Sequence, residues 1–192
     1  MRVVAGRWRG RRLQAPAGEA VRPTTDRTKE ALFSILGPLV EGAVVLDLCC
    51  GAGGLGIEAL SRGAGEAVFV DAARSSLQAV RENLARCGAG DGTWQLVAGD
   101  AETWLRRWSG SAGRPWLLLC DPPYPTGIAA AMMSLVGSGT LPDGLQAAVV
   151  EYGPRTPDTE TLPAGWRERR YGESRLAVFR PVDPAAAAED AP

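Results

Sequence analysis

The 192-residue chain contains no histidine. That removes the imidazole general base, the Ser-His-Asp nucleophile and the ordinary histidine-bearing zinc site together, and no metal is expected. Its four cysteines, Cys49, Cys50, Cys87 and Cys120, form no CxxC pair. Three lie in or beside apolar runs, so they read as buried reduced thiols. No apolar stretch reaches the roughly 18 residues that span a bilayer. The arginine-rich N-terminus lacks the apolar run of a signal peptide. A single cytoplasmic domain, monomeric and without a membrane partner, is the expectation, and any chemistry it performs proceeds without imidazole.

Charge is present but unevenly placed. Net charge is −1, yet residues 1–29 hold seven arginines and Lys29 against Glu19 and Asp26, leaving +6 there and −7 on the remainder. A basic arm on an acidic body suits an anionic partner, nucleic acid being the commonest. A solvated basic face is the plainer alternative.

"RVVAGRWRGRRL", punctuated by Gly6 and Gly10, reads as a short hairpin or bent strand. "RPTTDRTKEALFSIL" reads as a helix with Thr24 or Thr25 as N-cap and an apolar stripe of Ala31, Leu32, Ile35 and Leu36. From residue 43 strands and helices alternate: "AVVLDL", "EAVFVD", "WQLVAGD", "WLLLCD" and "AAVVEY" read as strands, with helical segments between them. Near-continuous apolar strands alternating with helices predict a parallel sheet covered on both faces. "WRERRY" and "RLAVFR" around Gly172 predict a closing antiparallel hairpin. The expected fold is therefore α/β and Rossmann-like: seven strands, mostly parallel, an antiparallel last strand, and an N-terminal hairpin and helix. Residues 1–40 form the extension, 41–182 the main domain, and 183–192, poor in bulky residues, a disordered tail.

"DLCCGAGGLG" holds a GxGxxG in Gly51, Gly53 and Gly56 between a strand and a helix, and Asp71 ends the next strand. Such a loop brings a ligand close to a helix N-terminus while the acid holds a ribose diol. A dinucleotide fits this much. Asp47, inside the strand end, departs from a dinucleotide site and can accept from a cationic amine such as that of S-adenosylmethionine. Asp100, after the third strand, can meet an adenine amino group. Three acids, Asp47, Asp71 and Asp100, would repel a pyrophosphate.

Asp121-Pro122-Pro123-Tyr124 follows the fourth strand on the same rim, because proline cannot continue a central strand. An exocyclic amino nitrogen on a nucleobase is a poor nucleophile, its lone pair being delocalised into the ring. The Asp121 carboxylate and Pro122 carbonyl can accept its two N–H bonds, and Tyr124 offers a stacking face. Three rivals remain: a nucleic-acid adenine-N6 methyltransferase, a dinucleotide oxidoreductase and a non-catalytic RNA-binding assembly factor.

"VVAGRWRGRRL", "RPTTDRTKEALFSIL", "VLDLCCGAGGLGIEALSRGA", "DPPY" and "YGESRLAVFR" together resemble the RsmD family over nearly the whole chain. That family methylates the N2 amino group of a guanine in bacterial 16S ribosomal RNA. The resemblance implies an S-adenosylmethionine site lined by Asp47, Gly51, Gly53, Asp71, Asp100 and Ala101. It implies a guanine held by Asp121, Pro122 and Tyr124, with 16S rRNA of the small subunit or its assembly intermediate as partner. The arm, through Arg7, Trp8, Arg9, Arg11, Arg12 and Arg22, would touch RNA. Cys49-Cys50 stands where the family usually has Phe-Ala.

Overall fold

The computed structural model describes residues 1–16, 25–123, 126–154, 156, 159, 161–172 and 174–181. The first helix, α1 (Asp26–Leu36), is opened by Thr25, whose side-chain oxygen accepts the Thr28 N–H at 3.1 Å and so satisfies an orphan donor of the first turn. Its buried face is Thr28, Lys29, Leu32, Phe33 and Leu36. Ala31 and Ile35 of the expected stripe are only half-buried, and Phe33 takes the inward position. The helix is thus rotated about one residue from the purely apolar reading, because a lysine occupies the core face.

The alternation then runs β1 (Val44–Leu48), α2 (Gly54–Ser61), β2 (Glu66–Asp71), α3 (Arg74–Cys87), β3 (Trp94–Ala98), α4 (Ala101–Arg107), β4 (Trp116–Cys120), α5 (Ile128–Gly137) and β5 (Leu145–Tyr152). The chain finishes with β6 (Trp166–Tyr171) and β7 (Ser174–Phe179). Where a helix stops, a local signal stops it. Gly88, at φ 69°, closes α3 by donating to the Leu84 and Ala85 carbonyls, a left-handed cap that side chains disfavour.

One seven-stranded sheet has the order β3-β2-β1-β4-β5-β7-β6. β1 pairs in parallel with both β2 and β4, and β3 and β5 extend the parallel set outward. β7 enters antiparallel between β5 and β6, which makes the ending a hairpin, as its spacing about Gly172 predicts. Alternate residues of the strands feed two cores. Val45, Phe69, Leu117, Leu119 and Val149 pack under α1, α2 and α3. Leu46, Val70, Leu118, Trp116 and Val150 pack under α4 and α5.

The N-terminal segment is a hairpin in its most reduced form. One bridge, Arg2–Arg12, joins its legs, supported by Val3 N–H to Arg11 O at 2.9 Å and Leu13 N–H to Met1 O at 3.0 Å. Val3, Trp8 and Leu13 join the α1–α2–α3 core, so the extension shares the main hydrophobic interior. Polar groups set its position. Both Glu58 carboxylate oxygens accept arm N–H groups, from Val4 at 2.7 Å and Ala5 at 2.9 Å. Ser61 accepts from Trp8 N–H at 3.0 Å and donates to Ala5 O at 2.6 Å. Gly6, at φ +79°, passes so close to the Ser61 carbonyl that a Cβ would collide with it. Lys29, fully buried, donates to the Arg2 carbonyl and lies 3.9 Å from Glu58, which also holds Arg62 at 2.8 Å.

Removing the Glu58 charge leaves Lys29 buried without its partner. Glu58→Gln is therefore expected to lower unfolding free energy by about 3 kcal/mol or more. Arg62→Gln, at the half-exposed side of the same carboxylate, should cost about 1 kcal/mol or less. Urea unfolding of both variants checks this; equal losses would contradict it.

Candidate active site

The strand register brings the sequence-predicted acids to one rim. Leu48, the last residue of β1, pairs with Val70 on one side and Cys120 on the other. Asp71 ends β2 opposite Ala98, and Asp100 follows β3 by two residues. Asp121 follows β4 directly. All four acids thus stand at or near the carboxyl ends of parallel strands. The crossovers go opposite ways from β1 and β4, the switch point where open α/β sheets bind ligands.

Asp47 lies deeper than its neighbours. It is the fourth residue of β1, 1% exposed, and its Oδ2 accepts the Gly56 N–H at 2.8 Å. Burial pushes its carboxyl well above the ordinary range, the Gly56 hydrogen bond opposes this, and the Asp121 and Asp71 carboxylates push it higher. Asp71 uses both oxygens on backbone: Oδ2 accepts from Gly51 N–H at 2.9 Å and Oδ1 from Ala73 N–H at 2.8 Å. It therefore fixes the glycine loop as well as presenting its remaining lone pairs. Asp100 is the N-cap of α4. Its Oδ1 accepts the Thr103 N–H at 2.8 Å, which holds the carboxyl below its usual value, and its exposed side remains open to solvent. Ala101, buried, is the first residue of that helix and has an N–H with no intrahelical acceptor.

The loop between β1 and α2 is strained in the way close backbone approach requires. Cys49 is in the left-handed region at φ 55°, Gly51 at 51° and Gly53 at 77°, the last serving as N-cap of α2. Gly56 has no room for a side chain: a Cβ would strike the Phe69 ring and reach 3.1 Å from Asp47 Oδ2. Cys50, Cys87 and Cys120 are buried free thiols and Cys49 is half-buried. The neighbouring Cys49 thiol and burial together push the Cys120 thiol well above its ordinary value. The Cys49-Cys50 pair therefore sits at the loop's first bend, against the end of β4.

Asn83, which no sequence motif marks, joins the loop to the arm. Its Nδ2 donates to Ala52 O and to Gln14 O, both at 3.0 Å, and its Oδ1 accepts from Gln14 N–H at 2.9 Å. Its signal is an amide three residues after Val80 and four before Cys87, on the buried stripe of α3. Glu58 and Lys29 carry the analogous signal, a charge inside a helix's buried face.

Other site expectations divide. Asp121 is half-buried and Pro122 buried at the end of β4, whereas Tyr124 lies outside the described residues. Arg7, Arg9, Arg11 and Arg12 are exposed; Arg22 lies outside the described residues. Trp8 requires correction. The indole expected to stack on a base is 6% exposed and part of the core, with the Arg7 guanidinium 4.3 Å above its ring. The arm's turn also lies low. Arg7 N–H donates to Ser61 O at the far end of α2, about 10 Å along the helix from Gly54 at the rim.

The family described as conserved hypothetical protein 95 matches residues 1–180. The protein named "Putative rRNA methyltransferase YlbH" of Bacillus subtilis strain 168 is 36% identical over 94% of this chain and 98% of its own length. "Ribosomal RNA small subunit methyltransferase D" of Escherichia coli K12 is 34% identical, covering 94% of this chain and 89% of its own. The solved structure titled "Putative methyltransferase yhhF from Escherichia coli" superposes with a TM-score of 0.74 at 33% identity, over 94% of this chain and 97% of that one.

The raised Asp47 carboxyl has a consequence for stability without any ligand. A buried acid whose folded pKa is raised contributes fully below its unfolded value and loses that contribution as pH rises through the folded value. Asp47→Asn, which keeps an acceptor for Gly56 but cannot ionise, should gain stability relative to the parent as pH rises from 4 to 8. Urea midpoints across that range test it; a constant difference would mean that folding does not raise the Asp47 carboxyl.

Proposed function

The chain belongs to the conserved hypothetical protein 95 family, the RsmD family, and on that premise we propose that it methylates 16S ribosomal RNA of the small subunit on the exocyclic N2 amino group of a guanine, using S-adenosylmethionine. One observation carries the cofactor half of this reading. Asp47 is buried under the like charges of Asp71 and Asp121, all at the switch point, so the site favours a cationic ligand over an anionic one. That is the wrong field for a dinucleotide pyrophosphate and the right one for an amine-bearing sulfonium.

S-adenosylmethionine supplies an electrophilic methyl on a sulfonium, and the protein's part is positioning and charge. Asp47 would hold the cationic amine, and the Gly51–Gly53 backbone would allow close approach to the amino acid portion. Asp71, already fixed by Gly51 and Ala73, would accept from the ribose hydroxyls. Asp100 and the Ala101 N–H would meet the adenine edge. Asp121 and the Pro122 carbonyl would accept the two N–H bonds of the guanine amine, localising its lone pair, with Tyr124 stacking on the base. Asp121 is also the group to take the proton that the methylated nitrogen sheds. The exposed arginines Arg7, Arg9, Arg11 and Arg12 would pair with RNA phosphates, without Trp8. The relatives' names support an rRNA substrate; the choice of guanine N2 over adenine N6 rests on the family resemblance.

The direct test is transfer of tritiated methyl from S-adenosylmethionine to small subunits lacking the modification, followed by nucleoside mass spectrometry. N2-methylguanosine is expected; N6-methyladenosine would replace the base assignment, and no incorporation would overturn the activity. In the same assay Asp121→Ala should lose about 10²-fold or more in turnover. Its affinity for S-adenosylhomocysteine by calorimetry should stay within about threefold, since Asp121 serves the acceptor amine. Retained turnover would remove the amine clamp.

A further inference from the structure

The arm is not the only cationic surface. Residues 166–180 hold five arginines, Arg167, Arg169, Arg170, Arg175 and Arg180, against Glu168 and Glu173. Most of this charge lies on β6, the edge strand, where Arg167, Arg169 and Arg170 are exposed. Among the described residues no carboxylate lies within ion-pairing distance of Arg167 or Arg169. Arginines on an edge strand can simply discourage pairing with another chain. Their height on the sheet argues for more than that.

Arg170 pairs with Arg175 on β7, which pairs with Tyr152 on β5. Tyr152 lies two residues beyond Val150, the partner of Cys120, so the two arginines stand level with Asp121 and Pro122. By strand spacing they are about 10 and 14 Å across the rim from β4. The arm's Arg7, by contrast, sits near the opposite end of α2. The two guanidiniums are also held in place. Glu168 accepts from Arg170 Nε, from Arg175 Nη1 at 3.4 Å and from the Tyr152 hydroxyl. Burial keeps that hydroxyl protonated, its pKa pushed up to about 12, so it remains a donor to Glu168 beside the two arginines.

We infer that Arg169, Arg170 and Arg175, at the carboxyl end of β6 and the amino end of β7, form a second RNA-backbone contact that holds phosphates beside the acceptor nucleotide. Glu168 and Tyr152 act as positioning residues for it. This rests on the proposed rRNA substrate and adds where that substrate crosses the rim: from the β4 end outward over β5 and β7 to the sheet edge. The arm then serves a more distant stretch of the same RNA.

The test compares the full-length parent with Arg169→Gln/Arg170→Gln, both exposed. Arg167→Gln serves as a control on the same strand, about 10 Å below the rim. The probe is a 16S rRNA transcript, with filter binding across a salt series and methyl-transfer kinetics. The double variant should flatten the log–log salt slope by about 1.4, two phosphates' worth, and raise KM for the transcript about tenfold. Its kcat and S-adenosylhomocysteine affinity should be within about twofold of the parent, and Arg167→Gln should resemble the parent. Unchanged slope and KM would overturn the inference, as would an equal effect from Arg167→Gln. Unchanged RNA binding with new self-association would assign these arginines to edge protection. Parent protein that binds the transcript but transfers no methyl would defeat the proposed activity, while the slope comparison would still decide the contact.

Discussion

The direction of five parallel strands governs everything at the site. Because β1 has β2 on one side and β4 on the other, both in parallel register, the loops after these strands open on one rim. The crossovers diverge at β1 and β4, which puts the glycine loop and Asp121 on either side of the switch point. Asp47, one residue short of the end of β1, is thereby buried yet in the field of Asp71 and Asp121. Ionising a carboxyl in that position carries an electrostatic cost, which is why burial and its neighbours raise it, and a nearby cation would relieve that cost.

A second polar skeleton ties the N-terminal arm to this frame. Glu58 and Ser61 on α2, Lys29 on α1 and Asn83 on α3 each bind arm backbone. Their partners are main-chain groups, so they define where the arm runs more than which side chains it displays. Asn83 also holds the Ala52 carbonyl in the glycine loop. One amide therefore spans the arm and the loop, and both are ordered by the same buried group.

Much of this was legible in the chain itself, for local reasons. Strand periods, Gly88 and Gly172 as stops, and acids placed one residue past apolar runs all depend on neighbours within a few positions. The docking groups were not, because each gains its meaning from a partner far away in sequence. Trp8 is ambiguous in the sequence for a related reason: among four arginines an indole looks like a base-stacking group, and only the packing of Val3, Leu13 and α2 shows it to be interior. The β6 arginines were hidden by averaging, their charge cancelled within an acidic remainder until the register placed them at the rim. Asp100 has two explanations at once, helix cap and ligand acceptor, and its residue type alone cannot separate them.

The long reach of the arm's contacts also sets an order of assembly during synthesis. Val4 and Ala5 wait for Glu58, 54 and 53 positions later, and Gln14 waits for Asn83, 69 positions later. The arm leaves the ribosome before α2 and α3 and cannot take its final path until they have followed. Through that interval its arginines are presented on unfolded chain, beside the most concentrated source of RNA phosphate in the cell. Maturation of the basic arm is thus a late step of folding, and contacts of high sequence separation make it a slow one.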